Sequence, residues 1–500
     1  MENKPKIIYV KDFGAVGDGI KDDAAAINVA VEALKAAPEG STLVFEPEKT
    51  YYYKQNRTGQ LPVFYLRYQK DKTIKGDNSM ILLGGKNHYY ADIEKCENIT
   101  IEGMNFDYAE YKPAFYGAFE SIDVENGTAI MIADRDIHLK NGEVYDKTMS
   151  RELFACIKHP KARWHMYVDS YEMLDEQERK FKVVFRNQDK RTMERLKLDF
   201  LKGYGLIMMM PFSGNIIERA FSIHENTDFT MRNVNIYSAS RHGFSLQYNS
   251  GEFLFENVKF VRNPNDMNLW FVSWGDTYHL LQNRAKYTWK KCKNEWNYDD
   301  VFNISVSRLV PKKVFAKNEA DLFFLETKGA FAPIFSGDTA TVVNRATGQY
   351  IRTEIQEVIC QEGTTNHVKF KDNIDWLVED NEIAIYIDQL AAAGAVMEDC
   401  DFDGTMRARN DITFINTRFY VRRFWIGNET VWEGSLPKNV IFKNCKFEYD
   451  DYNEPYWHIT ACTHGVGDAH AENIVFENCE GALLDLMEHS PKDELIFINK

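Results

Sequence analysis

Residues 274–305 read WGDTYHLLQNRAKYTWKKCKNEWNYDDVFNIS, and the reading of this stretch decides the fold. An isolated aspartate, Asp276, comes first. A segment in which polar and apolar residues partly alternate, YTWKKCKNEW, follows, and then the adjacent pair Asp299 and Asp300. If the intervening segment is one turn of a coil, Asp276 and the Asp299/Asp300 pair stand one above the other on neighbouring turns. Three carboxylates then converge. Crowded carboxylates raise one another's proton affinity, so that one stays protonated as an acid while another, ionised, activates water. This is the equipment of glycoside hydrolysis. Taken alone, a DD pair is more often a turn or a solvated loop, and the flanking sequence shifts the balance.

Working outward, the same short strand recurs. NITIEGMNFDY (98–108) returns as DFTMRNVNIYS (228–238), EFLFENVKFVR (252–262), KYTWKKCKNEW (286–296), AVMEDCDFDG (395–404), DITFINTRFYV (411–421), NVIFKNCKFEY (439–449) and NIVFENCEGAL (473–483). Each is an alternating strand, then Asn, Lys or Asp before a small apolar residue or cysteine, then often an aromatic. Repeats of this kind stack into a solenoid with a continuous apolar column, and corner asparagines form ladders along it. A sandwich of unrelated strands does not account for the recurring tail. Cys292, Cys400, Cys445 and Cys479 occupy one place in the pattern, which predicts buried thiols stacked in the core.

A solenoid needs a cover at its first turn. Residues 7–53 supply a strand, a helix over KDDAAAINVAVEALKAA with Asp22 and Asp23 at its positive N-terminus, and a second strand, STLVFEP. Residues 110–210 and 308–388 break the repeat with longer strands and charged connections, which predicts inserted antiparallel modules that wall a substrate site. The expected fold is therefore all-β: a right-handed parallel β-helix with inserted antiparallel, barrel-like modules and an N-terminal helix cap. It divides into 1–109 (cap and first turns), 110–210 (insert), 211–307 (central turns with the aspartates), 308–388 (second insert) and 389–500 (last turns).

The 33 Phe, 26 Tyr and 9 Trp suit such a fold and a sugar-stacking surface. The net charge of −15 argues against nucleic acid, an anionic membrane surface and a polyanionic substrate held without a metal, all of which need positive potential. No apolar run is long enough to span a membrane. The start, MENKPKIIYV, has no signal-peptide core, so the expected location is cytoplasmic as the chain stands, and secreted or periplasmic if a leader is removed.

The strand bearing Asp276, one coil, then the Asp299/Asp300 pair resembles the polygalacturonase-type β-helix hydrolases, and is more closely similar to glycoside hydrolase family 110, inverting α-galactosidases that remove terminal α-1,3-linked galactose. Gly275, Asp276, His279, Asn283 (shifted by one residue), Arg284, Cys292, Asp299, Asp300 and Asn303 carry the resemblance, with IEGMNFDY, FSGDTATVVNRATGQ, MRARN (Arg407, Arg409) and VWEG (Trp432, Glu433) elsewhere. It implies Asp299 as general acid and Asp276 with Asp300 as the pair that activates water. The chain departs from the family at Ser305, where a histidine is usual, and at Arg241-His242-Gly243. Candidate substrate contacts are His242, His279, Asn303, Arg407, Arg409, Trp432 and Glu433, each weighed against a structural role; Trp274 reads as core more than platform. No metal-ligand spacing appears, and neither metal nor cofactor is expected. The expected partner is an oligosaccharide or glycan, and a homo-oligomer stays open. The alternatives are a pectin-type polygalacturonase or lyase, another α-glycoside hydrolase, and a non-catalytic carbohydrate-binding β-helix.

Overall fold

The computed structural model describes residues 4–498 apart from 55–60, 86–87, 147–152, 159–164, 187–189, 212–218, 267, 326–332, 363–364, 429–433, 435, 450–458, 464–470, 483 and 487–494. The repeated strands pair in parallel, each with the next turn, to build three sheets of a β-helix. One sheet runs through Leu61–Arg67, His88–Glu94, Arg219–His224, His242–Gln247, Tyr278–Leu281, Asp300–Ser305, Asp401–Ala408 and Arg418–Asn428. A second runs through Thr42–Val44, Lys70–Leu83, Glu97–Tyr108, Thr227–Ile236, Ser250–Phe260, Lys286–Lys290, Ala395–Glu398, Asn410–Ile415, Lys438–Lys443 and Glu472–Glu477. The third is made by the far ends of the long strands with Thr50–Tyr53, Lys293–Asn294 and Lys446–Tyr449. Parallel crossovers of this kind wind right-handed.

The recurring tail is a corner. Asn233, Asn257, Lys291, Asp399, Asn416, Asn444 and Asn478 all adopt φ of +50° to +54°, a left-handed conformation that Asn and Asp tolerate best among residues with a Cβ. Each turns the chain so that the next, small residue points inward. The corner amides then bond turn to turn, Asn257 Nδ2 to Asn233 Oδ1 at 2.8 Å and Asn444 Nδ2 to Asn416 Oδ1 at 3.1 Å. Cys292, Cys400 and Cys445 are buried and Cys479 half-buried, all as free thiols. Between the corners, aromatic rings stack along the axis, with Phe414–Phe442 at 4.8 Å and Phe442–Phe476 at 4.7 Å.

A second, internal ladder uses Asn226, Asn249 and Asn283. The Oδ1 of Asn226 accepts the Cys96 N–H, that of Asn249 the Asn226 N–H and that of Asn283 the Asn249 N–H. Their Nδ2 groups donate to the carbonyls of Ile93, Ile223 and Leu246. Asn283, one of the residues behind the family resemblance, is thus a rung of the core.

At the N-terminus the helix spans Ala24–Ala36 and buries Ala24, Ile27, Ala30, Val31 and Leu34 over the first turn, the spacing of one apolar stripe. Asp22 Oδ1 accepts the Ala24 N–H, while Asp23 turns back to hold the Val16 and Gly17 amides.

The two interruptions are closed antiparallel structures. In the first, Ala114–Asp123, Thr128–Ala133, Lys180–Phe185, His165–Asp175, Leu153–Ile157 and Leu206–Met209 pair in a ring, with Val144–Asp146 added at one edge. The second is a barrel of Leu309–Ala316, Glu319–Phe324, Thr365–Phe370, Tyr350–Glu362, Thr339–Asn344 and Ile383–Ile387. The first module's core takes in Phe271, Trp274 and Tyr298 from the β-helix, and the barrel's core takes in Val306. The two aspartate-bearing turns are therefore clamped from both ends.

Where the barrel rejoins the coil, burial raises the Asp388 carboxyl to about 6, with Asp411 adding to it against Arg352, Lys438 and the Thr341 hydroxyl. A raised folded-state value means that the stability this carboxyl supports is complete below about pH 4 and is lost as pH rises through 6. Asp388→Asn is expected to unfold at higher denaturant than the parent above pH 6.5, by up to ~3 kcal/mol for a shift of about two units, and to match it at pH 4. Urea titrations at the two pH values check this.

Candidate active site

The site forms on the outward face of the first sheet, where three coils lie in register. His279 stands opposite Asn303, and Asn303 opposite Arg407, with Ser245 and Trp425 on the flanking strands. Phe244, Tyr278, Phe302 and Phe424 alternate with them and fill the core. The Thr277 N–H donates to the Asp300 carbonyl at 2.8 Å, so Asp276 and Asp300 sit one coil apart. One oxygen from each of Asp276, Asp299 and Asp300 lies within 4.8 Å of the others. Consecutive residues and adjacent coils bring the three groups together.

Their environments differ. Asp276 is 4% exposed. Burial pulls its carboxyl up, but the His279 hydrogen bond and the charges of His242, His279 and Arg407 outweigh that and hold it at about 2. His279 Nδ1 lies 2.6 Å from Asp276 Oδ2, and an ionised carboxylate only accepts, so Nδ1 is the donor. Asp300 is 2% exposed and accepts the Arg407 Nε at 2.5 Å. The Arg407 guanidinium carbon lies over the Trp425 ring, 3.9 Å from its centre, with that of Arg423 over the same ring at 4.3 Å.

Asp299 is the one of the three that opens to solvent. Its carboxyl is pushed well above the ordinary range by desolvation in an enclosed setting and then by the charges of Asp276 and Asp300, against Arg407 and Arg422. A side chain open to water keeps part of its hydration, so repulsion by the two neighbouring carboxylates is the cause we weight most.

His242 accepts the Asp276 N–H on Nδ1 at 3.0 Å, and its ring centre is 5.0 Å from that of His279. Burial holds this imidazole down at about 4, with His279, Arg241 and Arg219 adding to it against the pull of Asp276. Gly275 permits the approach, since a Cβ there would meet His242 Nδ1 and the Arg241 side chain at 2.9 Å. His242, Asp276 and His279 bring one potential ligand atom each within 4.8 Å of one another, as do the three aspartates. In the first group both Nδ1 atoms are engaged by Asp276, that of His242 by its main-chain N–H and that of His279 by its carboxylate.

The structure thus brings together Asp276, Asp299, Asp300, His242, His279, Asn303 and Arg407. Asn303 is buried, and its Oδ1 has no hydrogen-bond partner among the described residues. Arg409 is a correction. It is 0% exposed, and its guanidinium holds the carbonyls of Ala408 and Gly427, because the strand ends at Ala408 and the chain turns inward there. Trp432 and Glu433 lie outside the described residues. Trp274 is core of the first module, its indole N–H on the Pro113 carbonyl. Ser305, a departure from the family pattern, is buried and donates to the Leu280 carbonyl. Sequence reasoning missed Arg422, Trp425 and Asn297; only the WNYDD spacing around Asn297 carried any signal.

His279→Ala removes the hydrogen bond that keeps Asp276 acidic and leaves burial to dominate. The Asp276 carboxyl is expected to rise, so the acid limb of the pH–rate profile moves to higher pH while the alkaline limb stays. A profile from pH 3 to 9 measures this.

No family model matches the sequence, and no curated protein matches it. Among solved structures, the A-module of the Azotobacter vinelandii mannuronan C-5 epimerase AlgE4 aligns over 98% of this chain and 100% of its own, at 10% identity and a TM-score of 0.37. The catalytic unit of the Streptomyces thermodiastaticus family 87 α-1,3-glucanase aligns over 96% and 55%, at 9% identity and 0.39. The Yersinia enterocolitica family 28 exopolygalacturonase aligns over 99% and 77%, at 10% identity and 0.35. At such values the chemistry has to be argued from the site itself.

Proposed function

We propose that the protein is an exo-acting glycoside hydrolase that removes a terminal α-linked galactose, with Asp299 as general acid and Asp276 and Asp300 as the pair that activates water. The observation that carries this reading is the split in proton affinity among three adjacent carboxyls, with Asp299 raised and Asp276 held at about 2. Environments that push neighbouring carboxyls apart in this way assign acid and base. The Asp299 proton passes to the glycosidic oxygen as its bond to the anomeric carbon breaks. Water bonds to that carbon and gives its proton to Asp276 or Asp300. Galactose rests on the family resemblance alone.

A second reading, hydrolysis of a glycan that contains uronate, is favoured by the guanidinium groups of Arg407 and Arg422 acting on Asp299 and of Arg219 and Arg241 acting on His242. They make the site locally cationic in a chain of net charge −15. Digestion of nitrophenyl α-galactoside, galactose-terminated oligosaccharides and polygalacturonate, each with and without chelator, separates the readings. Chelator-resistant release of galactose supports the first, release of uronic acid the second, and chelator-sensitive unsaturated products point to a lyase. Binding without turnover would overturn both. Proton NMR of the earliest product decides the stereochemistry: β-galactose first is the result expected of direct displacement by water, whereas α-galactose means a covalent intermediate and removes the water-activating role from Asp276 and Asp300.

A further inference from the structure

Between the strand end at Asn294 and the Asp299/Asp300 pair the chain makes an unusual turn. Trp296 adopts φ +56°, a conformation that a bulky aromatic residue takes only where its surroundings compel it. The next residue, Asn297, is 0% exposed. Its Nδ2 lies 3.0 Å from the Ser273 hydroxyl, 3.0 Å from the Gly275 carbonyl, 2.8 Å from the Thr277 hydroxyl and 3.2 Å from the Asp300 carbonyl. Its Oδ1 accepts the Asp299 N–H at 2.6 Å. One amide thus grips the residues on both sides of Asp276, the main-chain N–H of Asp299 and the main-chain carbonyl of Asp300.

The geometry points to Asn297 as the positioning residue for all three aspartates, an assignment that rests on the acid/base reading above. It touches no reacting atom. Its work is to set the distance between two coils at the point where their carboxyls meet, and that distance generates the raised Asp299 proton affinity. An amide suits the place. Two N–H groups facing four oxygens and one oxygen facing an N–H cannot be reproduced by a hydroxyl or by an aliphatic side chain. The asparagines of the internal ladder join coils by amide contacts of similar kind, but away from the carboxyls, so they provide a matched control.

The test compares Asn297→Ala with Asn226→Ala. Both remove a fully enclosed amide that bridges coils, and both are expected to lower stability to a similar degree. Asn297→Ala alone is expected to lower kcat about 100-fold, the cost of a misplacement of about 1 Å, with KM within threefold of the parent. It is also expected to shift the alkaline limb of the pH–rate profile to lower pH, as the carboxyls spread and Asp299 becomes an ordinary acid. Asn297→Asp, which keeps the acceptor for the Asp299 N–H, is expected to recover part of kcat at low pH, where its own carboxyl is protonated and donates. Titration of carboxyl resonances in protein labelled with ¹³C-aspartate reads the Asp299 shift without any substrate, so this readout survives if the hydrolase reading fails. An Asn297→Ala protein that keeps the parent's Asp299 titration, or that loses no more kcat than Asn226→Ala, overturns the assignment. Full activity in Asp299→Asn would instead overturn the reading on which it rests.

Discussion

Asp299→Asn is expected to lower turnover on a glycan with a poor leaving group by about 10²- to 10⁴-fold, the usual range for a general acid, while the fold survives. Asparagine matches the carboxyl in shape, and the main-chain N–H of Asp299, which Asn297 holds at 2.6 Å, is untouched. The amide cannot give up a proton at the moment the glycosidic bond breaks, so the loss should depend on the leaving group. A nitrophenol needs little protonation and is expected to lose the least; an unactivated sugar alcohol needs the most. The alkaline limb of the pH–rate profile, which reports loss of the Asp299 proton, should vanish with it. Parallel kinetics on an aryl glycoside and a natural oligosaccharide measure both effects. Equal losses on the two substrates, or more than a tenth of parent activity on the natural one, would remove Asp299 from the mechanism.

The largest expected effect on stability lies in the internal ladder. Asn249→Ala strips the partner from the Asn226 N–H and from the Ile223 carbonyl, both enclosed in the coil, and removes a contact to the Tyr287 hydroxyl at 3.3 Å. Each buried backbone group left unmet costs about 1–3 kcal/mol, so a loss of roughly 2–5 kcal/mol is expected from the two. Because each coil leans on its neighbours alone, the damage should concentrate in the turns around residues 220–290. Hydrogen exchange there is expected to quicken well before exchange in the turns after residue 395. A change under about 0.5 kcal/mol in urea unfolding, the scale of an ordinary surface substitution, would show that the ladder is not a main support.

What could be read from the chain follows the range of the forces involved. The corner tail was legible because a left-handed residue followed by an inward small one is a requirement of two consecutive residues, met again at each turn. The spacing of Asp276 from Asp299 and Asp300 was legible because a single coil separates them, and parallel pairing of adjacent coils converts that interval into a contact. The distinct character of the two interruptions showed in their longer strands. Arg407 and Arg409 could not be told apart in this way. Two residues apart, they belong to the same face of a continuing strand, but the strand stops at Ala408, so one reaches Asp300 and the other turns into the interior.

By itself, then, the sequence determined the coil, its corners, its stacked thiols and the meeting of two aspartate-bearing turns, since each depends on neighbours within one repeat. The tertiary structure decided the electrostatics. Arg407 reaches Asp300 across 107 residues, an interval that contains a whole barrel, and Arg422 and Trp425 arrive one coil later still. The proton affinities follow from how closely those late coils seat against the early ones, a register no local pattern encodes. The amide of Asn297 seats the two aspartate-bearing turns against each other, for a reason that appears only once Gly275 and Asp300 lie within its reach.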